Sequence, residues 1–446
     1  MLKSVLWGAI FALGTEAFAE ERMVVRFKLT PAIHGHLRTQ EYDITGVNHN
    51  AGHIEALLSL GEMAEVEKLH PVVSFYFPES LSRGPDQEYK NPEEIEAFVK
   101  EINGRYPELT EVRSIGKSLE GRDIWAIKVT GENPEGTNRP VFFVNGMHHA
   151  REVMTPEITT DLVEYLVKNY KNDADVTRWL DSTEVWVIPM FNVDGNNKMW
   201  TADSMWRKNT RNGHGVDINR NYPAFWNTCR GSSGSTWAQD YRGPAAGSEP
   251  ETQAMMAFVG SIKPVFSISY HSYSEIVIYP FGCGPKRTPS TETVESIGAD
   301  LGRSIDYRPG TSWELLYDVD GGDIDWLYTA HQVIPYVIEV NSTGEGFHPS
   351  YSKWRDKTVL RNRKGWMYLL ERLQGPGVHG QVMSGEYSKI LIRRTGEKTL
   401  YQNYKINPRG DFHVILKRGT YDFIFEGAKS KQLTGIKVDS KITIEL

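Results

Sequence analysis

Cysteine is scarce in this sequence: Cys229 and Cys283 are the only two in 446 residues, which excludes a small disulfide-stapled scaffold. Export would still permit one bridge, so from the sequence a bridge and two free thiols are equally open. Blocks of lysine or arginine are also missing, and the formal net charge is −7. Both facts argue against a nucleic-acid or polybasic membrane role and favour a small or peptide substrate. No internal repeat or low-complexity tract occurs. Beyond the first twenty residues, no segment has the ~18 to 20 consecutive apolar residues that a membrane span needs. What is present is bulk: 39% of the residues are hydrophobic, enough for one large core with one or two smaller units.

The first residues, "MLKSVLWGAIFALGTEAFAE", combine a basic Lys3, an apolar run from Val5 to Leu13 and a small-residue site at Ala17-Phe18-Ala19. That layout predicts a signal peptide over residues 1–19 and a secreted or periplasmic protein. An uncleaved anchor is the alternative, against which the run is short. Residues 20–80 read as a small α+β unit, with strands at "MVVRFKL" and "VVSFYF" and a helix near "EMAEVEKL". A polar stretch, "PESLSRGPDQEYKN", follows.

The central region alternates two periodicities. Asn91-Pro92 caps a helix with Ile95, Phe98, Val99 and Ile102 at helical spacing, and Thr155-Pro156 opens another with Ile158, Leu162 and Leu166 on one face. Ser248 and Glu251 have capping-box spacing before a third. Between these lie "VFFVN", "VWVIPMFN" and "VFSISYHS", continuous apolar runs of the kind buried on both faces of a sheet. The expected fold class is α/β, a mixed and mostly parallel sheet between helices. After the Gly/Pro linker "QGPGVHG", strand-like alternation over residues 378–446 predicts a small all-β sandwich.

Polar chemistry sits where these runs end, at "NGMHH", "NVDG" and "YHSY", as expected of ligand sites in open α/β sheets. In "VNGMHHARE", His149 and Glu152 are three residues apart, so an imidazole nitrogen and a carboxylate oxygen can face one point. The same spacing arises by chance, and a polar turn explains it equally well. A catalytic zinc needs a third protein ligand, which His271 at the end of "SISYHS" can supply.

Several motifs now agree. "GMHHARE", "NVDG", "MWRKNTR", "GVDINRNY", "YRGPAAGSEPET", "SYHSYSEIVIYPFG", "YDVDGGDIDW" and "VIEVNSTGEGF" occur in order, and together they resemble the metallocarboxypeptidases, zinc carboxypeptidases that include carboxypeptidases A, B and T. The resemblance spans roughly residues 86–373 and implies a catalytic domain there. It implies one Zn2+ ion held by His149, Glu152 and His271, with His148 as a neighbour because only His149 has the His-x-x-Glu register. The two-histidine, one-glutamate set is the one the general rules of zinc chemistry illustrate with carboxypeptidase A itself.

The resemblance further implies Glu339 as general base, a role that suits a carboxylate at the end of an apolar strand; a salt-bridged core glutamate is the alternative. Arg207 is implied as the oxyanion stabiliser, with Lys208 and Arg211 as solvated neighbours. Asn219 and Arg220 would grip the substrate's terminal carboxylate, and Tyr317, unless it is a packed core tyrosine, would close over it. Arg151 and Tyr273 would lie along the substrate. Ile324 would floor the side-chain pocket with Gly282 on the opposite wall, favouring aromatic or aliphatic C-terminal residues. One of Asp318, Asp320 or Asp323 turned inward would instead favour lysine or arginine.

The expected partners are peptide or protein C-termini, with no nucleic acid and no stable membrane span after signal cleavage; the oligomeric state is not legible. The β-rich tail resembles the transthyretin-like domain of the family's regulatory branch, and residues 20–80 resemble a bacterial pro-region. Two other readings are a cell-wall peptide hydrolase with the same chemistry and an inactive binding module, although none of the implied ligands nor the base is missing.

Overall fold

The buried apolar runs become neighbouring strands in a computed structural model of the chain, which describes residues 22–78, 84–132, 138–407 and 409–446. The signal peptide expected over residues 1–19 lies outside the described residues. The chain divides into two compact units between Pro85 and Asp86.

The first unit is an antiparallel sheet of β1 (Arg22–Lys28), β2 (Asp43–Asn48), β3 (His53–Ser59) and β4 (Val72–Tyr76) in the order β2-β3-β1-β4. Its helices are Pro31–Thr39 and Leu60–Glu67. The second begins with a reciprocal capping box between Ser59 and Glu62. The helix at Pro31 and the strands β2 and β3 were not among the expected elements.

The second unit is built on β5 (Thr110–Lys117), β6 (Asp123–Val129), β7 (Val141–Gly146), β8 (Glu184–Ile188), β9 (Phe266–Ser272), β10 (Ile276–Ile278), β11 (Arg308–Gly310) and β12 (Ile334–Val340). They form one sheet, β11-β10-β12-β9-β7-β8-β6-β5. The pairs β12–β9, β9–β7, β7–β8 and β10–β11 are parallel and the remaining three antiparallel, so the sheet is mixed and mostly parallel as expected. Period two decides which face each side chain meets. Phe142 and Val144 join the core under helices Met154–Asn169, Thr291–Ile305 and Tyr351–Leu373. Phe143 joins the opposite core, with helices Pro250–Ile262 and Asp323–His331. On β9 and β12 the first core takes Phe266, Ile268, Tyr270, Tyr336, Ile338 and Val340. His271 and Glu339, out of phase with these, project to the other face.

Helix Pro92–Arg105 starts at the Asn91 cap as expected, with Glu94 completing a capping box. The box expected at Ser248 and Glu251 does not form; helix Pro250–Ile262 begins after Glu249 with no side-chain cap. Other bonds occupy both side chains, one local and one tertiary. Ser248 Oγ donates to Glu249 Oε1 (2.7 Å) and Glu251 Oε1 accepts the Leu119 N–H (2.8 Å).

Beyond helix Tyr351–Leu373 come β13 (Gly377–Gln381), β14 (Tyr387–Arg394), β15 (Gln402–Lys405), β16 (Asp411–Ile415), β17 (Gly419–Gly427), β18 (Ser430–Val438) and β19 (Lys441–Thr443). Two sheets, β16-β13-β19 and β15-β14-β17-β18, share a core that includes Val378, Ile390, Phe412, Phe423 and Phe425. This body is joined to the main sheet's side: Ile415 enters the large core, and Arg372 Nη2 donates to Leu416 O (2.6 Å). Among the described residues no helix is long and apolar enough to cross a membrane.

Candidate active site

The parallel strands β7, β9 and β12 end together, and the polar motifs converge at their C-terminal ends. After β7, Gly146 runs close to its neighbours: a Cβ there would sit 3.2 Å from Pro189 O and 3.3 Å from the Thr155 carbonyl. Met147 then takes a left-handed φ of 63°, its N–H donating to Thr155 Oγ1 (3.0 Å). Asn192 of "NVDG" secures the turn by donating from Nδ2 to His148 O (3.0 Å). These bonds aim His149 and Glu152 inward.

His149 Nδ1 lies 2.7 Å from Glu152 Oε1, and His271 Nδ1 lies 3.1 Å from both His149 Nδ1 and Glu152 Oε2. Ligand atoms of these three buried residues fall within 4.8 Å of one another, the only such group found among the described residues. The donors are two imidazoles and one carboxylate, the chemistry zinc prefers. Glu152 Oε2 is buried and, although His271 Nδ1 lies 3.1 Å away, makes no hydrogen bond of acceptable geometry among the described residues, so a cation would find an oxygen there. The residues therefore fit the metal. Burial alone would raise the Glu152 carboxyl, yet His149 and His271 hold it below the usual carboxylate range, keeping it ionised.

His148 points elsewhere, with Nε2 3.1 Å from Tyr222 OH. Burial, and the neighbouring His271 and His149, keep its pKa well below the ordinary histidine value. The ligands are braced from behind. His149 Nε2 is 3.3 Å from Asp217 Oδ1, and His271 Nε2 is 3.2 Å from Ser269 Oγ. Asp217 was not singled out in the sequence, although it stands inside "DINRNY"; the only signal was a carboxylate between apolar neighbours.

Glu339 is paired in register with His271 across β12 and β9, so both side chains rise from one face of adjacent strands. It is the one position of β12 that is not fully buried. Burial, reinforced by Glu152, pushes its carboxyl up to about 7 against the opposing pull of His271, Arg207 and Arg220. Arg207 reaches Asp217 Oδ2 through Nη2 (2.8 Å), and Tyr317 is near enough to act on its charge. Ala150 N–H donates to Arg207 O (2.9 Å), tying the arginine's backbone to the histidine segment. The expectation of solvated neighbours fails: Lys208 is buried and donates to Thr236 O (3.0 Å) and Ala238 O (2.8 Å), and Arg211 pairs with Glu249 (2.6 Å).

Asn219 and Arg220 lie in the short 3-10 turn Ile218–Arg220, started by the Asp217 side chain. Asn219 Nδ2 is 3.4 Å from His271 Nε2, which puts this pair beside the triad. Arg220 Nη1 donates to Asn219 O (2.8 Å), while its buried Nε makes no hydrogen bond among the described residues. Arg151 and Tyr273 meet on one ring: the Arg151 guanidinium stacks 4.2 Å from the Phe347 centroid, and Tyr273 packs against the same ring at 4.8 Å. Phe347 was missed in the sequence, where nothing separates it from a core aromatic.

Ile324 joins an apolar cluster with Ile276, Ile278, Leu315 and Val337. Gly282 stands where a Cβ would come within 2.9 Å of Ser312 Oγ, and its N–H donates to both oxygens of Asp325 (2.9 and 3.0 Å). The three acids suspected of turning inward all have protein partners. Asp318 accepts the Gly284 N–H, Asp320 is fully buried among the backbone donors of Thr228, Cys229 and Gly231, and Asp323 accepts the Ile324 N–H through Oδ1 while its buried Oδ2, 4.0 Å from His148 Nε2, makes no hydrogen bond among the described residues. Cys229 and Cys283 are joined in a disulfide, Cα to Cα 5.7 Å.

Comparison with known proteins identifies the family. Human carboxypeptidase B is 33% identical over 310 residues, 64% of this chain and 72% of that protein. The solved carboxypeptidase A from Helicoverpa armigera has the same fold, with a TM-score of 0.68 at 20% identity over 79% of this chain and 96% of its own. Bovine thrombin-activatable fibrinolysis inhibitor, solved in complex with tick carboxypeptidase inhibitor, matches with a TM-score of 0.57 at 26% identity, covering 64% and 97%. The family model described as zinc carboxypeptidase matches residues 95–358, more than half of the chain. On that evidence the chain belongs to the zinc carboxypeptidase family and is a metallocarboxypeptidase that uses one zinc ion.

Proposed function

We propose that this enzyme removes a single aromatic or aliphatic residue from the C-terminus of peptides or proteins, outside the cytoplasm. The observation that carries the reading is the in-register pairing of Glu339 with His271, which sets a proton acceptor beside the candidate metal ligands. His149, Glu152 and His271 would hold the zinc ion, which supplies Lewis acidity toward the scissile carbonyl. Glu339, its carboxyl pushed up to about 7, takes a proton from the attacking water and returns it to the departing amine. Arg207, steadied by Asp217, stabilises the negative charge that develops on the carbonyl oxygen. Asn219, Arg220 and Tyr317 bind the free carboxylate, which confines cleavage to the last residue. Arg151 and Tyr273, both packed on Phe347, line the approach of the preceding residues.

An apolar preference is supported by Ile324 and its aliphatic surroundings and by the bonds that hold Asp318 to Gly284 and Asp320 to the loop of residues 228–232. A charged terminal residue would lose water there without gaining a partner. The disulfide suits an oxidising compartment, in line with the signal-like first nineteen residues. The unit before Asp86 is read as a pro-region, so a chain beginning near residue 85 should be at least as active as the longer form. The C-terminal sandwich is read as transthyretin-like.

The test is a panel of blocked dipeptides ending in Phe, Leu, Lys, Arg or Glu, assayed with and without a chelator. Phe and Leu peptides should be cleaved fastest, and the chelator should abolish all turnover. Faster hydrolysis of the Arg peptide than of its Phe counterpart would refute the apolar reading, and activity that survives the chelator would refute the mechanism.

A further inference from the structure

Between Tyr317 and Ile324 the chain forms a strap tied to three neighbouring segments, residues 282–284, 222–232 and Asn219. Asp318 Oδ1 accepts the Gly284 N–H (3.1 Å), and Val319 N–H donates to Gly282 O (3.0 Å). Gly321 N–H donates to Ala224 O (3.1 Å), and Gly321 O accepts the Tyr222 N–H (2.9 Å). Asp323 N–H donates to Asn219 Oδ1 (3.0 Å). Gly321 has φ 64°, and a Cβ there would overlap Arg220 O. The strap thus lies directly against the backbone of Arg220 and holds the Asn219 side chain.

Asp320 is the hub. Its Oδ2 accepts N–H bonds from Thr228 (3.2 Å), Cys229 (3.2 Å) and Gly231 (3.1 Å), and Oδ1 accepts from Ser232 Oγ. Gly231 packs so tightly on the strap that a Cβ would overlap Asp320 N. The carboxylate is fully buried, which is costly unless its oxygens are satisfied, and four donors from one loop do this. The Cys229–Cys283 disulfide welds that loop to the 282–284 segment, where Asp318 and Val319 are held. Three segments are therefore locked around one side chain that itself lies outside the triad.

We propose that Asp320 is a positioning residue for capture of the substrate's terminal carboxylate. By gathering the donors of residues 228–232 it seats the strap, and through the strap it sets Tyr317 and supports Asn219 and Arg220. This rests on the reading of those three residues as the carboxylate grip.

The test compares Asp320→Ala, Asp320→Asn, Tyr317→Phe, Arg220→Lys and the Asp320→Ala/Tyr317→Phe double variant of the full chain on a blocked dipeptide ending in Phe. Asp320→Ala should raise KM by on the order of tenfold with kcat and zinc content nearly unchanged. Asp320→Asn should restore KM to within about threefold, because its oxygen can take the three N–H donors while its amide donates to Ser232 Oγ. The double variant should lose no more than the worse single variant, as expected of residues acting through one another. A raised KM in Tyr317→Phe and Arg220→Lys beside a normal KM in Asp320→Ala overturns the inference and leaves the grip intact. Losses that add in the double variant also overturn it. Normal KM values in both Tyr317→Phe and Arg220→Lys mean that the grip reading has failed, and the inference with it. Should Asp320→Ala not fold, Ser232→Ala, which removes a single donor, takes its place; an unchanged KM there overturns the role.

Discussion

Asp217 Oδ1 stands 3.3 Å from His149 Nε2, on the side of the ring opposite Glu152 and His271. A carboxylate there fixes the tautomer that leaves Nδ1 free to bind metal and raises the basicity of the ring. Asp217→Asn should therefore weaken zinc affinity by ~10- to 100-fold. Competition against a chromogenic chelator measures this, and an unchanged affinity would show that the contact is only packing.

Glu339→Gln keeps the size of the side chain but removes the proton acceptor. Turnover should fall by ~10²- to 10⁴-fold, the usual contribution of a positioned acid–base group, with zinc content unchanged. A variant that binds zinc normally and retains near-normal kcat would remove Glu339 from the mechanism.

Asp325 supplies a pH dependence of stability. Burial is the main force pushing its carboxyl from 3.8 up to about 7, and the bonds it accepts from Gly282 and Cys283 only partly oppose this. The folded chain thus holds a proton that the unfolded chain has already released. This group's contribution to stability is complete below the unfolded pKa and is lost as pH rises through the folded one. Asp325→Asn cannot titrate and can still accept the Gly282 N–H, so its Tm relative to the parent should climb between about pH 4 and 7, the window bounded by the unfolded and folded pKa values, and level off above it. Parallel Tm profiles for the two proteins would contradict the shift.

Ile324→Asp would place a carboxylate on the proposed pocket floor. Preference should move from C-terminal Phe toward Arg, with the Arg/Phe ratio of kcat/KM rising by on the order of 100-fold or more. A ratio that stays fixed would show that the floor lies elsewhere.

The sheet and its flanking helices were legible because the strands at its centre are buried on both faces and read as unbroken apolar runs. The candidate ligands were legible only through the family resemblance, since the spacing of His149 and Glu152 alone fits a polar turn equally well and His271 reads as one more residue of an apolar strand. Asp217 escaped notice because its partners, His149 and Arg207, come from other segments. Lys208 was misjudged in the same way, since its ammonium is satisfied by carbonyls of Thr236 and Ala238 across a loop. The pairing of Cys229 with Cys283 likewise depended on two loops meeting in space.

The in-register pairing of His271 with Glu339 separates two kinds of tolerance. On the proposed reading, the distance from ligand to base is set by the spacing of hydrogen-bonded strands, which loop substitutions do not alter. Tyr317 and Gly282, proposed to meet the substrate, lie outside the strands and helices, and Ile324 sits in the first turn of its helix. Segments around the pocket could be exchanged to give new cleavage preferences while the hydrolytic pair keeps its separation. Amide exchange should find slow protons along β9 and β12, whose ladder fixes this spacing.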